Sequence, residues 1–161
     1  HARALLTGTA EGETRYLHAD MRDTAAVVDG ARKTLDFTRP TALMFLGVLG
    51  HVADFDEARA LVRTLVDVLP AGSFLVVGDG GGDDPAQVKA ALEYAATGAV
   101  PYHVRPYTEV EQFFEGLELL EPGLVLINDW RPDPVERVVA ITGERYVPKP
   151  VSDYGGVARK A

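Results

Sequence analysis

No cysteine occurs anywhere in the 161 residues. That removes disulfides, thiolate-bound zinc and cysteine nucleophiles from consideration. Basic side chains are scarce as well: 16 Lys and Arg stand against 24 Asp and Glu, for a formal net charge of -8. Such a balance disfavours a nucleic-acid backbone or an anionic membrane as the main partner. No apolar run approaches the ~20 residues that a membrane-spanning helix needs. The opening HARALLTG lacks the long apolar region of a signal peptide. Internal repeats, low-complexity tracts and long linkers are also missing. What is present is ordinary for a folded protein: hydrophobic residues make up 47% and charged residues 25%, enough for one core. One domain spanning residues 1–161 is expected, in a cytoplasmic enzyme or binding protein.

The periodicity alternates between strand and helix. Residues 1–8 read as the end of a helix stopped by Gly8, and a helix end so close to residue 1 predicts that more chain precedes it. Residues 14–20 read as a strand ending on Asp20. Residues 23–35 follow as a helix capped by Asp23 or Thr24, with Ala26, Val27, Ala31 and Leu35 as its apolar stripe. Residues 41–48 are apolar on both faces, the mark of a covered central strand. Residues 55–69 form the clearest helix, with Ala58, Leu61, Val62, Leu65, Val66 and Leu69 at spacings of three and four.

A second buried strand over 73–77 runs into a loop rich in glycine and aspartate. Residues 85–97 are helical, with Asp84 as cap and Pro85 at the first position. Thr108 and Glu111 suggest a capping box for a short helix over 108–116. A strand with a Pro-Gly break spans 117–126, Trp130 and Arg131 make a structural turn, 135–150 are ambiguous, and 154–159 form a closing strand. Strands with apolar interiors and polar carboxyl ends describe an open α/β sheet with its site along that edge.

The residues at those ends are the candidates for chemistry. Asp20 closes one strand. Gly47 and Gly50 let backbone approach a ligand closely. His51 is the candidate general base or substrate contact, since imidazole ordinarily titrates near neutral pH. Asp79 follows the next strand and can reach substrate. Tyr102, His103, Arg105 and Tyr107 form an aromatic and basic loop able to cover an acceptor, with Tyr102 and Arg105 as substrate contacts. Asp83 and Asp84 do not have the spacing of a calcium loop, and no metal is expected. The glycines at 78 and 80–82 lack the GxGxxG spacing into a helix that a nucleotide loop needs.

Taken in order, HARALLTGTAEGETRYLHADMRD, VLGHVAD, LPAGSFLVV, EVEQFFEGLELLEPGLV, the W-R-P turn and YGGVARK resemble the later part of a class I S-adenosylmethionine-dependent methyltransferase. More narrowly they are similar to an actinobacterial methyltransferase-like family formerly of unknown function. The resemblance covers nearly the whole chain. It implies a Rossmann-like α/β sheet, mostly parallel with an antiparallel final strand, and S-adenosyl-L-methionine as cofactor. It also implies that Asp20 accepts a hydrogen bond from the adenine amino group, that Met21 covers the ring, and that Gly47, Val48 and Leu49 line the cofactor.

The family's glycine-rich loop after its first strand and the acid ending its second strand have no counterpart here. The resemblance therefore implies a partial domain, lacking the first two strands. A free strand edge could be covered by another copy of the chain. The expected function is methyl transfer to a small-molecule acceptor. The alternatives are a non-catalytic cofactor-binding module of the same fold and a fragment of a nucleotide-dependent oxidoreductase. The missing Tyr-x-x-x-Lys pair and the closing YGGVARK argue against the last.

Overall fold

The computed structural model describes residues 11–132 and 151–161. The expectations over residues 1–8 and 135–150 lie outside the described residues. The elements in chain order are α1 (Thr24–Ala31), β1 (Ala42–Leu46), α2 (Phe55–Asp67), β2 (Phe74–Gly80), α3 (Pro85–Ala96), α4 (Tyr107–Gln112), β3 (Glu118–Leu119), β4 (Val125–Leu126) and β5 (Asp153–Arg159). The sheet runs β1-β2-β5-β3, with β4 also on β5. β1 and β2 are parallel, and β5 is antiparallel to β2, β3 and β4. One strand thus runs against four parallel ones, as the resemblance implied.

Side-chain alternation puts Leu75, Val77 and Asp79 of β2 on one buried face. The apolar stripe of α2, namely Ala58, Leu61, Val62, Leu65 and Val66, packs with Phe45, Leu75, Val77 and Ala158, and with Val110, Phe113 and Phe114 around α4. On β1 the alternate residues Met44 and Leu46 stay exposed. Asp54 and Asp84 cap α2 and α3, accepting from Glu57 N–H at 2.8 Å and Ala86 N–H at 2.8 Å, and Asp23 caps α1 in the same way.

Three expectations are corrected. Residues 14–20 form no strand. A strand needs a ladder partner, and among the described residues β1 pairs only with β2. The capping box at Thr108 does not form either. Helix α4 starts at Tyr107 behind Pro106, so Thr108 lies within it. The Tyr107 N–H is instead accepted by Asp83 Oδ2 at 2.6 Å, a cap delivered from the loop after β2. Finally, the strand over 117–126 splits into β3 and β4, because the turn at Pro122-Gly123, with Gly123 at φ +92°, breaks the ladder between two stretches that both pair with β5.

Lys160 fastens the end of β5 to the end of α2. Its Nζ donates to the carbonyls of Val66 (3.0 Å), Asp67 (3.1 Å) and Leu69 (2.7 Å), using all three ammonium donors on otherwise open helix-end acceptors. Lys160→Met keeps the stem and removes the donors. It is expected to lower stability by about 2 kcal/mol, measured as a shift in the urea midpoint. An unchanged midpoint would mean that water replaces the ammonium at no cost.

Candidate functional site at the carboxyl edge of the sheet

The buried row Leu75, Val77, Asp79 ends in a carboxylate because β2 is still paired to β5 at that point, with Asp79 opposite Tyr154 and Gly80 opposite Asp153. Asp79 is only 3% exposed. Its Oδ1 accepts the Gly80 N–H at 3.1 Å and the Tyr102 hydroxyl. Its Oδ2 is buried and has no hydrogen-bond partner among the described residues. Burial pushes the carboxyl up from 3.8 to about 6. The Gly80 N–H and the Arg105 charge pull the other way, the Asp153 charge adds to the rise, and the Gly50 amide makes the last, lowering contribution.

Tyr102 belongs to a strap over residues 101–106 that crosses the ends of β1 and β2. It is tied by His103 N–H to Gly50 O (2.7 Å), Arg105 N–H to Gly80 O (3.1 Å) and Gly82 N–H to Arg105 O (2.6 Å). The glycines of this region exist for that close approach. A Cβ on Gly50 would sit 2.6 Å from the Tyr102 ring, and one on Gly81 would sit 2.1 Å from the Ser152 carbonyl oxygen. The glycine-rich loop is therefore a packing device, in keeping with its lack of nucleotide-loop spacing.

Under the strap lies a cavity of about 280 Å³ lined by Gly47, Gly78, Asp79, Gly80, Gln87, Tyr102 and Asp153. Gly47 has φ +64°, and a Cβ there would meet nothing within 4 Å. Its backbone is bare toward open space. A second hollow of about 300 Å³ shares Gln87 and Tyr102 and is lined by His51 and by Ala90, Ala91 and Tyr94 of α3. His51 stands edge-on to Tyr102, ring centroids 5.2 Å apart. Its Nδ1 lies 3.0 Å from Pro101 O. A carbonyl only accepts, so Nδ1 carries the proton, and the neutral ring keeps its lone pair on Nε2.

Of the residues singled out from sequence, Gly47, Asp79 and Tyr102 line one cavity, and His51 lines the hollow beside it. Val48 is part-exposed next to Gly47, and the Leu49 side chain is fully buried in the core. The reading of Arg105 as a substrate contact is corrected. Arg105 is 3% exposed, and its guanidinium donates to Leu49 O at 3.0 Å and to Val52 O. It lies about 6 Å from the rings of Phe55 and Phe113 and does not line the cavity. Burial lowers its pKa, opposed by the charges of Asp79, Glu109 and Asp54.

Asp20 turns into α1, accepting the Arg22 N–H at 3.0 Å, while Met21 packs against the core. Asp83 and Asp84 are occupied by α4, Tyr154, α3 and Ser152. Among the described residues no three His, Asp or Glu are grouped to hold a metal ion, and no helix is long and apolar enough to cross a membrane.

Sequence reading missed Gln87 and Asp153. The signal for Asp153 was available. An antiparallel last strand starts at the edge where parallel strands end, so the residue that opens it joins the site. Gln87 was legible as the third residue beyond the Asp84 cap, in the first turn of α3.

Comparison with known proteins supplies the context. A family model described as S-adenosyl methyltransferase matches residues 1–161. A solved structure of a DUF574 family protein from Streptomyces avermitilis superposes with a TM-score of 0.83 at 40% identity, covering 99% of this chain and 60% of that one. A putative methyltransferase from Thermobifida fusca superposes at 0.79 with 31% identity, covering 99% of this chain and 58% of that one. The chain thus spans about 60% of the length of these relatives. An O-methyltransferase family 2 protein from Planctomyces limnophilus, solved with apigenin, shares the fold at TM-score 0.50 and 15% identity, over 89% of this chain and 34% of that one. No curated protein matches.

Proposed function

Since this chain belongs to the S-adenosyl methyltransferase family, we propose that it carries the acceptor side of a site where a methyl group passes to a small molecule, at the carboxyl ends of β1 and β2. The observation that carries this reading is the cavity of about 280 Å³ at that edge, with the bare Gly47 backbone and the buried Asp79 among the residues lining it. S-adenosyl-L-methionine is the cofactor of the family. When bound, it supplies a methyl group on a sulfonium, so aligning the acceptor does most of the work.

The residues present fit one wall of such a group. Gly47 and Val48 offer backbone and an apolar side chain, and the exposed Asp20 carboxylate, with Met21 beside it, is our proposed adenine contact. Tyr102, fixed by Asp79 and Gly80, holds the strap over the acceptor. His51 Nε2 and the Asp79 carboxylate are the groups able to take a proton from it. The size of the cavity suits a small-molecule acceptor.

The test is calorimetric titration of S-adenosylhomocysteine into the protein at the full length of its relatives, followed by assay of S-adenosylhomocysteine release with candidate acceptors. Binding with turnover supports the enzyme. Binding without turnover across acceptor classes favours a non-catalytic module, and no binding removes the cofactor reading for this chain. His51→Gln is expected to lower kcat roughly a hundredfold while leaving S-adenosylhomocysteine affinity unchanged. A kcat equal to wild type would assign the proton to Asp79 alone.

A further inference from the structure

Among the described residues, the cavity under the strap is lined by two carboxylates and by no basic side chain. Arg105, whose charge acts on Asp79, directs its guanidinium into the Leu49 and Val52 carbonyls. Asp153 Oδ1 accepts from Gln87 Nε2 at 3.3 Å. Among the described residues Asp79 Oδ2 is buried without a donor, a costly condition for a carboxylate inside a protein.

We infer that this cavity takes the protonated amino group of a small-molecule amine, with the Asp79 carboxylate as its buried counter-charge and Asp153 as the second anion. The inference rests on the reading of this edge as the acceptor side of a methyltransferase, and it narrows the acceptor class to amines. A hydroxyl would satisfy one lone pair and leave both negative charges in place. An ammonium supplies up to three donors and neutralises one of them. A metal ion would need more ligands than the described residues bring together.

The same pair of groups explains how such an amine becomes nucleophilic. One proton passes from the ammonium nitrogen to the Asp79 carboxylate. The carboxylate becomes a neutral acid, the ammonium a neutral amine, and the nitrogen lone pair is freed. Burial, which already favours the protonated form of Asp79, makes that transfer easier than it would be to an exposed carboxylate.

The experiment is an NMR titration of the full-length protein with n-butylamine hydrochloride, and with 1-butanol as the neutral match in shape. Butylammonium is expected to bind saturably and at least ~10-fold more tightly than the alcohol. Asp79→Asn is expected to weaken butylammonium roughly thirtyfold. Asp153→Asn should weaken it less, and both variants should keep wild-type affinity for S-adenosylhomocysteine. If butylammonium binds no better than butanol, or if Asp79→Asn leaves its affinity unchanged, the amine inference is overturned. The methyltransferase reading then still stands on S-adenosylhomocysteine binding. If S-adenosylhomocysteine fails to bind, that reading falls instead, and the amine titration still decides what the cavity prefers.

Discussion

Replacing Asp79 by Asn is expected to make the protein more stable at pH 8 and no more stable at pH 3.5. The reason is the carboxyl's shift from 3.8 to about 6, caused first by burial. Below pH ~4 both folded and unfolded chains hold the proton, so the group contributes nothing. Between pH ~4 and ~6 the unfolded chain ionises while the folded one keeps its proton, so stability falls as pH rises. Above pH ~6 the cost is complete, about 2–3 kcal/mol for a shift of this size.

Asparagine preserves the acceptor used by the Gly80 N–H and the Tyr102 hydroxyl and never ionises. Its amide nitrogen takes the place of the unpartnered Oδ2 and needs an acceptor of its own, so the net gain at pH 8 is expected nearer ~2 kcal/mol. Urea midpoints at the two pH values check this. A destabilised variant at pH 8, or the same gain at both values, would mean that Asp79 is a satisfied structural acid. A residue that costs stability at working pH and lines a cavity is the usual sign of a site kept for function.

The second large effect is expected at Arg105, and it separates a structural role from a substrate contact. Arg105→Ala strands two carbonyls, Leu49 O and Val52 O, and opens a void between Phe55 and Phe113. The expected loss is about 3–5 kcal/mol. Lysine should recover only part of it, since a single ammonium cannot span two carbonyls as the planar fork does. Should Arg105→Ala prove as stable as wild type while raising KM for the acceptor, Arg105 would be the substrate contact that its sequence position first suggested.

Arg105 shows why some of the site could be read from sequence and some could not. The aromatic and basic loop was visible as a loop, and its place over the site followed from its position after the second buried strand. Which of its side chains point inward depended on three backbone ties to Gly50, Gly80 and Gly82, contacts between segments 23 to 53 residues apart. Those ties send Tyr102 into the cavity and Arg105 into the core. Leu49 follows the same rule: its carbonyl accepts from Arg105 and its side chain lies in the core. The strand expected at residues 14–20 had the right composition, but a strand exists only with a neighbour, and composition does not supply one.

Local patterning determined the elements by itself: the α2 stripe, the Asp54 and Asp84 caps, the two buried strands, and the polar residues at their carboxyl ends. These depend on spacing within one segment, where burial of an apolar face and satisfaction of helix-end N–H groups act over a few residues. The tertiary structure alone decided what those polar ends mean. Only when antiparallel β5 brings Asp153 to Gly80, and the strap brings Tyr102 to Asp79, does one aspartate lose its water, keep one oxygen without a donor and face a cavity. Desolvation and hydrogen-bond partners are properties of surroundings, assembled from segments far apart in the chain, and no single segment carries them.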